Sequence, residues 1–273
     1  MKTLKTLVTF SGRFGDAIWS LPAVREIAKR DGPVDFAMMP QYASLVPLLE
    51  AQSYIAKAFA INEWKLEGES AGCQPWKSPD FVGREQYDKV IDMTYRQHPH
   101  SRHLAEWIAR DAKVRLREPL LPFLQADGVE WVLPTPVIAY GFNSLYHESK
   151  MEFLLSLREK LNDFTFVDTT KLPWLSAAAL IKSALCFVGC RSSNYALAHG
   201  VGQNVIVFEP HPARTGWTFA WPYGTEFDAT TVSPEDSAAL AAGMIHVWQE
   251  GQGKWDSYHQ HPENVTIGSQ LSG

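Results

Sequence analysis

The sequence predicts an α/β fold built as two doubly wound halves that face a central cleft. Three observations predict it. Short β-rich runs alternate with amphipathic helical stretches along most of the chain, the pattern of parallel sheets with crossover helices. The alternation lapses once, between 114 and 136, where prolines gather at 119, 122, 134 and 136 as in a connection between domains. It then restarts, and no repeat of solenoid or propeller period runs through the chain.

In the first half, 4–10 is a β-rich run and 17–30 shows the helical spacing of Ile18, Leu21, Val24, Arg25 and Ala28. A strand over 34–39 completes a βαβ unit. A helix over 42–50, an extended run over 56–61, a polar loop over 63–86, a strand over 89–93 and a helix over 101–112 follow. That last helix gathers Leu104, Trp107 and Ile108 on its apolar side. In the second half the strands are expected at 137–142, 165–168, 185–189 and 205–208, and the helices at 147–161, 175–184 and 194–201. A final helix over 234–249 opens on Ser233 as N-cap, with Pro234 at its first position and Glu235 and Asp236 at the positive end of its dipole. The expected organisation is therefore two Rossmann-like domains, 1–130 and 131–250, and a polar tail, 251–273, that wraps the surface or moves.

Composition narrows the classes. Hydrophobic residues make up 45% and charged residues 20% of the 273, the profile of a globular chain with a buried core. No apolar run approaches the roughly 20 residues of a membrane-spanning helix, and the first residues lack the apolar stretch of a secretion signal. A cytoplasmic location is expected. Cys73, Cys186 and Cys190 form no CxxC pair, so free thiols are expected. A net charge of −5 excludes a uniformly basic, nucleic-acid-coating surface but leaves room for a local basic cleft.

In folds of this class ligands bind at the carboxyl ends of the strands, so the chemistry is expected there. The first is Ser11-Gly12-Arg13-Phe14-Gly15-Asp16, between a strand and a helix. No Gly-Lys-Ser/Thr follows it and it is not GxGxxG, which excludes a P-loop and a dinucleotide fingerprint. Asp16 is placed either to take a proton or to cap the helix by accepting backbone N–H bonds. Arg13 suits a phosphate or an acidic acceptor, or is a solvated loop residue.

Gly15-Asp16 followed by Leu21-Pro22-Ala23 resembles the start of glycosyltransferase family nine, the lipopolysaccharide heptosyltransferases of GT-B type. Two further stretches extend the resemblance: Tyr140-Gly141-Phe142-Asn143-Ser144 with Lys150, and the run from Leu175 through Phe187-Val188-Gly189 and Val207-Phe208-Glu209-Pro210 to Pro212-Ala213-Arg214-Thr215-Gly216. The resemblance implies a GT-B-like pair of Rossmann-like domains, acceptor-side in 1–130 and nucleotide-sugar-binding in 131–250. It implies that Asp16 is the general base of an inverting transfer, with Gly12, Arg13 and Gly15 on the acceptor side. It also implies that Lys150 reaches the donor phosphates, beside Asn143 and Ser144; the other reading of Lys150 is a solvated helix end.

The chain departs from the family where an Asp-Ser/Thr-Gly turn precedes a His: here stand Arg191-Ser192-Ser193 and Ala196. Arg191, with Gly189 before it and the backbone N–H groups of Ser192, Ser193 and Asn194 after it, makes a diphosphate clamp. It is preferred to Cys190 as the functional residue. Glu209 suits donor hydroxyls or a pair with Arg214, itself assigned to the donor side.

His98, His100 and His103 form a histidine run without cysteines or clustered carboxylates nearby. It is read as a solvated helix start, with His98 and Arg102 contacting an acceptor phosphate, rather than as a metal site. No metal and no cofactor is expected; the nucleotide-diphosphate sugar is a co-substrate. The expected partners are that donor and a hydroxyl-bearing acceptor, a glycan or glycolipid, or alternatively a modified nucleic acid contacted by 96–102. A non-catalytic nucleotide-sugar-binding protein is the alternative from a different class.

Overall fold

The computed structural model describes residues 5–64, 80–93, 103–116, 123–127, 129, 131, 136–143, 147–209, 224–228 and 232–251. Among them lie two sheets, every strand pair parallel. The first sheet holds β1 (Thr6–Phe10), β2 (Val34–Met38), β3 (Ile55–Ala60) and β4 (Lys89–Met93) in the order β3-β2-β1-β4. The second holds β5 (Val137–Gly141), β6 (Thr165–Asp168), β7 (Cys186–Gly189), β8 (Val205–Glu209) and β9 (Gly224–Asp228) in the order β6-β5-β7-β8-β9. Each sheet begins its winding at an interior strand and reverses there, so crevices open at the carboxyl ends of β1 and β5.

The helices are α1 (Phe14–Asp31), α2 (Val46–Glu50), α3 (Leu104–Asp111), α4 (His147–Lys160), α5 (Trp174–Ser183), α6 (Ser193–Gly200) and α7 (Pro234–Gln249). Alternation along the strands sorts the core. In β1, Val8 and Phe10 face one apolar cluster, while Leu7 faces another with Ala37, Met39, Ile61 and Trp64. In the second sheet, Ile138, Val188, Ile206 and Phe208 pack under α4 and α7, with Phe153 stacked on Phe208 at 4.4 Å. Their sequence neighbours Val137, Ala139, Phe187 and Val205 point the other way.

That other cluster is shared: it contains side chains of β1, β2, α1 and α3 together with side chains of β5, α5, α6 and β8. The seam between the sheets runs along α1 and α6, where Trp19 meets Tyr195 at 6.2 Å and His199 at 5.8 Å between ring centroids. The connection expected over 114–136 contributes here. Phe123 and Leu124 both donate backbone N–H bonds to the Gly200 carbonyl, and Gln125 exchanges bonds with the Gln52 side chain on the first sheet's side.

Several elements differ from expectation, for local reasons. The first helix opens at Phe14, earlier than 17, because Asp16 in its first turn accepts from the N–H of Arg13, one of the donors the helix start leaves unpaired. The helix expected over 42–50 is a 3-10 turn, Pro40–Leu45, followed by the short α2; Pro47 lacks the N–H that would carry one helix through. The strand β9, whose Gly-Thr-Glu-Phe-Asp sequence shows little apolar alternation, was not expected. The tail after 251 lies outside the described residues, as does Cys73, while Cys186 and Cys190 are free, buried thiols.

Candidate active site

The site begins with two strand-to-helix turns, one from each sheet. After β1 the chain turns through Ser11, Gly12 and Arg13 into α1. Gly12 is required by crowding: a Cβ there would run into the Phe10 ring and come within 2.9 Å of the Asp16 Cβ. The turn is held by Asp16, whose Oδ2 accepts from the Arg13 N–H at 3.3 Å. Arg13 is exposed and Asp16 half-buried.

The second turn joins β7 to α6 through Cys190, Arg191 and Ser192. Gly189 ends β7 against the carbonyl oxygen of Gly141, where any Cβ would collide, so β5 and β7 finish side by side. Asn194, one residue into α6, donates from Nδ2 to Thr169 Oγ1 at 2.8 Å; Thr169 in turn donates to the Tyr140 carbonyl at 2.9 Å. The start of α6 is thereby pinned to the ends of β5 and β6.

Around it stands a polar cluster. Lys150 is 1% exposed, and its Nζ donates to Asn143 Oδ1 at 2.7 Å. The Asn143 N–H donates to Cys190 Sγ at 3.3 Å, and the Lys150 ammonium donates to the same sulfur. Burial holds the Cys190 thiol above its ordinary pKa, and the nearby Glu209 adds to that, against the opposing pull of Asn143 and Lys150. Glu209, at the end of β8, accepts from the Arg191 N–H at 3.3 Å.

The two turns meet. A Cβ on Gly15 would stand 3.5 Å from the Ser193 Cα, so the first turns of α1 and α6 touch across the seam with Asp16 beside them. At the same edge Phe14 packs on Trp174 at 4.8 Å and on Tyr42 at 4.9 Å, while the Trp174 indole donates to Ser44 Oγ at 3.2 Å. The structure thus brings Gly12, Arg13, Gly15 and Asp16 up to Ser193, and gathers Asn143, Lys150, Gly189, Arg191, Ser192, Asn194 and Glu209 at the ends of β5, β7 and β8. Ser144, Arg214, His98 and Arg102 lie outside the described residues.

Two readings of the sequence need correction. Lys150 is no solvated helix end, since its ammonium is enclosed by Asn143 and Cys190. His103 does not start α3 in solvent either: it is 7% exposed, accepts from the Ala105 N–H through Nδ1 and packs edge-on to Trp19 at 4.5 Å. Burial lowers its pKa to about 3, and burial with the neighbouring His103 holds His199 well below the usual range. Sequence reading missed Thr169 and the Phe14–Tyr42–Trp174 edge. The polar run Asp168-Thr169-Thr170 after a strand was the available signal for the first; the second joins residues remote in sequence.

Comparison with solved structures then bears on the fold. A family nine glycosyl transferase from Veillonella parvula superposes with a TM-score of 0.59 at 11% identity, over 97% of this chain and 98% of that one. The E. coli ADP-heptose lipopolysaccharide heptosyltransferase II gives 0.56 at 12% identity, over 91% and 100%. The fold is GT-B. A third GT-B match, the iron-containing dodecameric glycosyltransferase TibC of enterotoxigenic E. coli, gives 0.56 at 14% identity over 87% of this chain, which spans 66% of TibC. No family model matches the sequence, and no curated protein matches it. The GT-B likeness agrees with the two-sheet expectation and with the resemblance to family nine drawn from the turns. Among the described residues no group of three His, Cys, Asp or Glu side chains stands close enough to hold a metal, and no helix is long and apolar enough to cross a membrane.

Proposed function

We propose that the chain is a glycosyltransferase that moves a sugar from a nucleotide-diphosphate donor to a hydroxyl acceptor with inversion. One observation carries the reading: the starts of α1 and α6 touch at Gly15 and Ser193, which puts a carboxylate and an anion-binding helix start at one place. The likeness in fold to a protein described as an ADP-heptose transferase supports it.

The chemistry divides between the turns. The acceptor oxygen forms the new bond to the anomeric carbon as its proton passes to the Asp16 carboxylate. The bond from the anomeric carbon to the donor phosphate breaks on the opposite face, and its electron pair leaves with the nucleoside diphosphate. The charge that develops there falls to the N–H groups opening α6 and to Arg191, fixed dipoles and a fixed cation that need no reorganisation. Lys150 acts from beneath, holding Asn143 and Cys190 in place and adding positive charge. Gly12, Arg13 and Gly15 flank the acceptor. Neither a metal nor a cofactor takes part in these steps, and the reaction belongs to the cytoplasm, where nucleotide sugars are at hand.

Asp16→Asn tests the mechanism. Nucleotide-sugar turnover should fall by about 10² to 10⁴ while calorimetric binding of the donor stays as in the wild type. Full activity in that variant would remove the mechanism.

A further inference from the structure

We propose that Phe14, Tyr42 and Trp174 form the platform on which the acceptor lies, and that the acceptor is an alcohol or phenol with a flat, unsaturated ring; the inference rests on the transfer proposed above. The three side chains reach one edge from separate parts of the chain. Phe14 opens α1 in the same turn as Asp16, Tyr42 stands in the 3-10 turn that follows β2, and Trp174 opens α5, beyond β6 and the Thr169 turn. Each follows the carboxyl end of a strand, the side on which Asp16 and the start of α6 stand.

Each ring is half-buried: it rests on the core shared by the two sheets and keeps part of its surface in solvent. Phe14 touches both of the others, with its centroid 4.8 Å from Trp174 at an interplanar angle of 34° and 4.9 Å from Tyr42 at 79°. Rings that fix one another lose little freedom when a further ring stacks on them. An aromatic side chain that serves only the core is shielded, as Trp19 is at 2% exposed. An open aromatic rim beside the proposed base offers a ligand its faces and edges.

The neighbours select the kind of ring. Gln41, Ala43, Ser44 and Pro173, beside Tyr42 and Trp174 in the chain, are exposed and uncharged. The Trp174 indole N–H, the donor that a sugar hydroxyl would take, is already given to Ser44 Oγ at 3.2 Å. That bond ties α5 to the turn after β2 and leaves ring surface at the edge. Lys171, just before Trp174, pairs with Asp168 at 3.7 Å, so Trp174 stands beside a neutralised pair rather than a cation for a phosphate backbone. A flat ring stacked here holds its hydroxyl toward the turn that carries Asp16.

Umbelliferone, a flat phenol, is the probe, titrated into the intact protein without donor by calorimetry and by NMR of the indole N–H resonances. Trp174→Phe identifies the Trp174 resonance by its loss. The probe should shift that resonance. Its affinity should fall about two- to tenfold in Trp174→Leu, which fills the place without a ring, and stay within about twofold in Trp174→Phe. Tyr42→Leu repeats the test from the other sheet. Hydroxymethyluridine presents the same chemistry on a nucleobase; a shift by either flat ring supports the platform, and the tighter of the two names the source. A shift by methyl glucopyranoside alone, no shift by either flat ring, or undiminished binding in both leucine variants would overturn it. Inorganic pyrophosphate should bind the wild type and Trp174→Leu alike, through the start of α6. Its failure to bind the wild type would count against the proposed transfer, whereas the platform is read by the flat rings alone.

Discussion

The two helices that touch at Gly15 and Ser193 start alike and are finished differently. Each follows a buried strand and a glycine that admits no side chain, and each begins close to the other. At α1 Asp16 of the first turn accepts from the Arg13 N–H, while the N-cap Arg13 makes no side-chain cap bond. At α6 the N-cap Ser192 makes no side-chain cap bond, and an arginine stands directly before it. A start that carries a carboxylate repels anions and suits proton uptake; a start next to a guanidinium attracts them. Under the proposed function the same local architecture serves as an acid–base end and as a phosphate end, and the difference rests on Asp16 on one side and Arg191 with Ser192 on the other.

The strongest way to break this comparison is to separate the two roles of Asp16. Asp16→Ala removes both the proposed base and the bond to the Arg13 N–H, so kcat should fall by about 10² to 10⁴ and unfolding free energy by about 0.5 to 1.5 kcal/mol. Asp16→Asn keeps an acceptor oxygen for the Arg13 N–H and should lose the rate while retaining most of the stability. Equal losses of stability in the two variants, measured by chemical denaturation, would show that the cap needs the charge and that the ends differ less than described.

Next in size is the seam that holds the two starts together. Trp19 of α1 lies among His103, Tyr195 and His199, and burial lowers the His103 pKa to about 3 from an ordinary 6.5. A depressed pKa in the folded state means that the stabilisation is complete above about pH 6.5 and is lost as pH falls from there toward 3, because only the unfolded chain takes up the proton. The loss should reach the order of a few kcal/mol. His103→Asn keeps a side-chain acceptor for the Ala105 N–H and removes one of the two titrations, so its thermal midpoint should depend less on acid than that of the wild type. Parallel midpoint-against-pH curves would take His103 out of the seam's energetics.

How much of this was legible in the sequence follows from the range of the interactions. The turns at Gly12–Asp16 and Gly189–Asn194 could be read because glycine, strand end and helix start lie within a few residues of one another. The sequence marks Lys150 as a residue of importance but does not show its burial, since Asn143 and Cys190 reach it from two different strand ends. The sequence places His103 in solvent because nothing near it in the chain announces Trp19 or His199. The strand β9 escaped because its place at the sheet edge is set by pairing with β8 rather than by its own composition. Local chemistry was visible; contacts across the seam were not.

Arg191 sharpens the phosphate end. Replacing a charged donor by a neutral one at a diphosphate should cost about 1.5 to 3 kcal/mol of binding, so Arg191→Gln should weaken nucleoside-diphosphate affinity by about tenfold to a hundredfold. Arg13→Gln, at the start that carries Asp16, should leave that affinity nearly unchanged. Reversed effects in calorimetry would assign the diphosphate to α1 and invert the comparison.

The smallest effect is expected at Ser192. A serine that capped its helix would cost about 0.5 to 2 kcal/mol on replacement by alanine. Its hydroxyl makes no cap bond here, so Ser192→Ala should change stability by less than about 0.5 kcal/mol. The backbone N–H groups that open α6 survive the substitution, so nucleoside-diphosphate binding should survive with them. A cap-sized loss of stability without ligand would mean that the Ser192 hydroxyl closes the end of α6. The phosphate end would then rest on Arg191 and Lys150 alone, and anion binding would draw on side-chain charge rather than on the helix start.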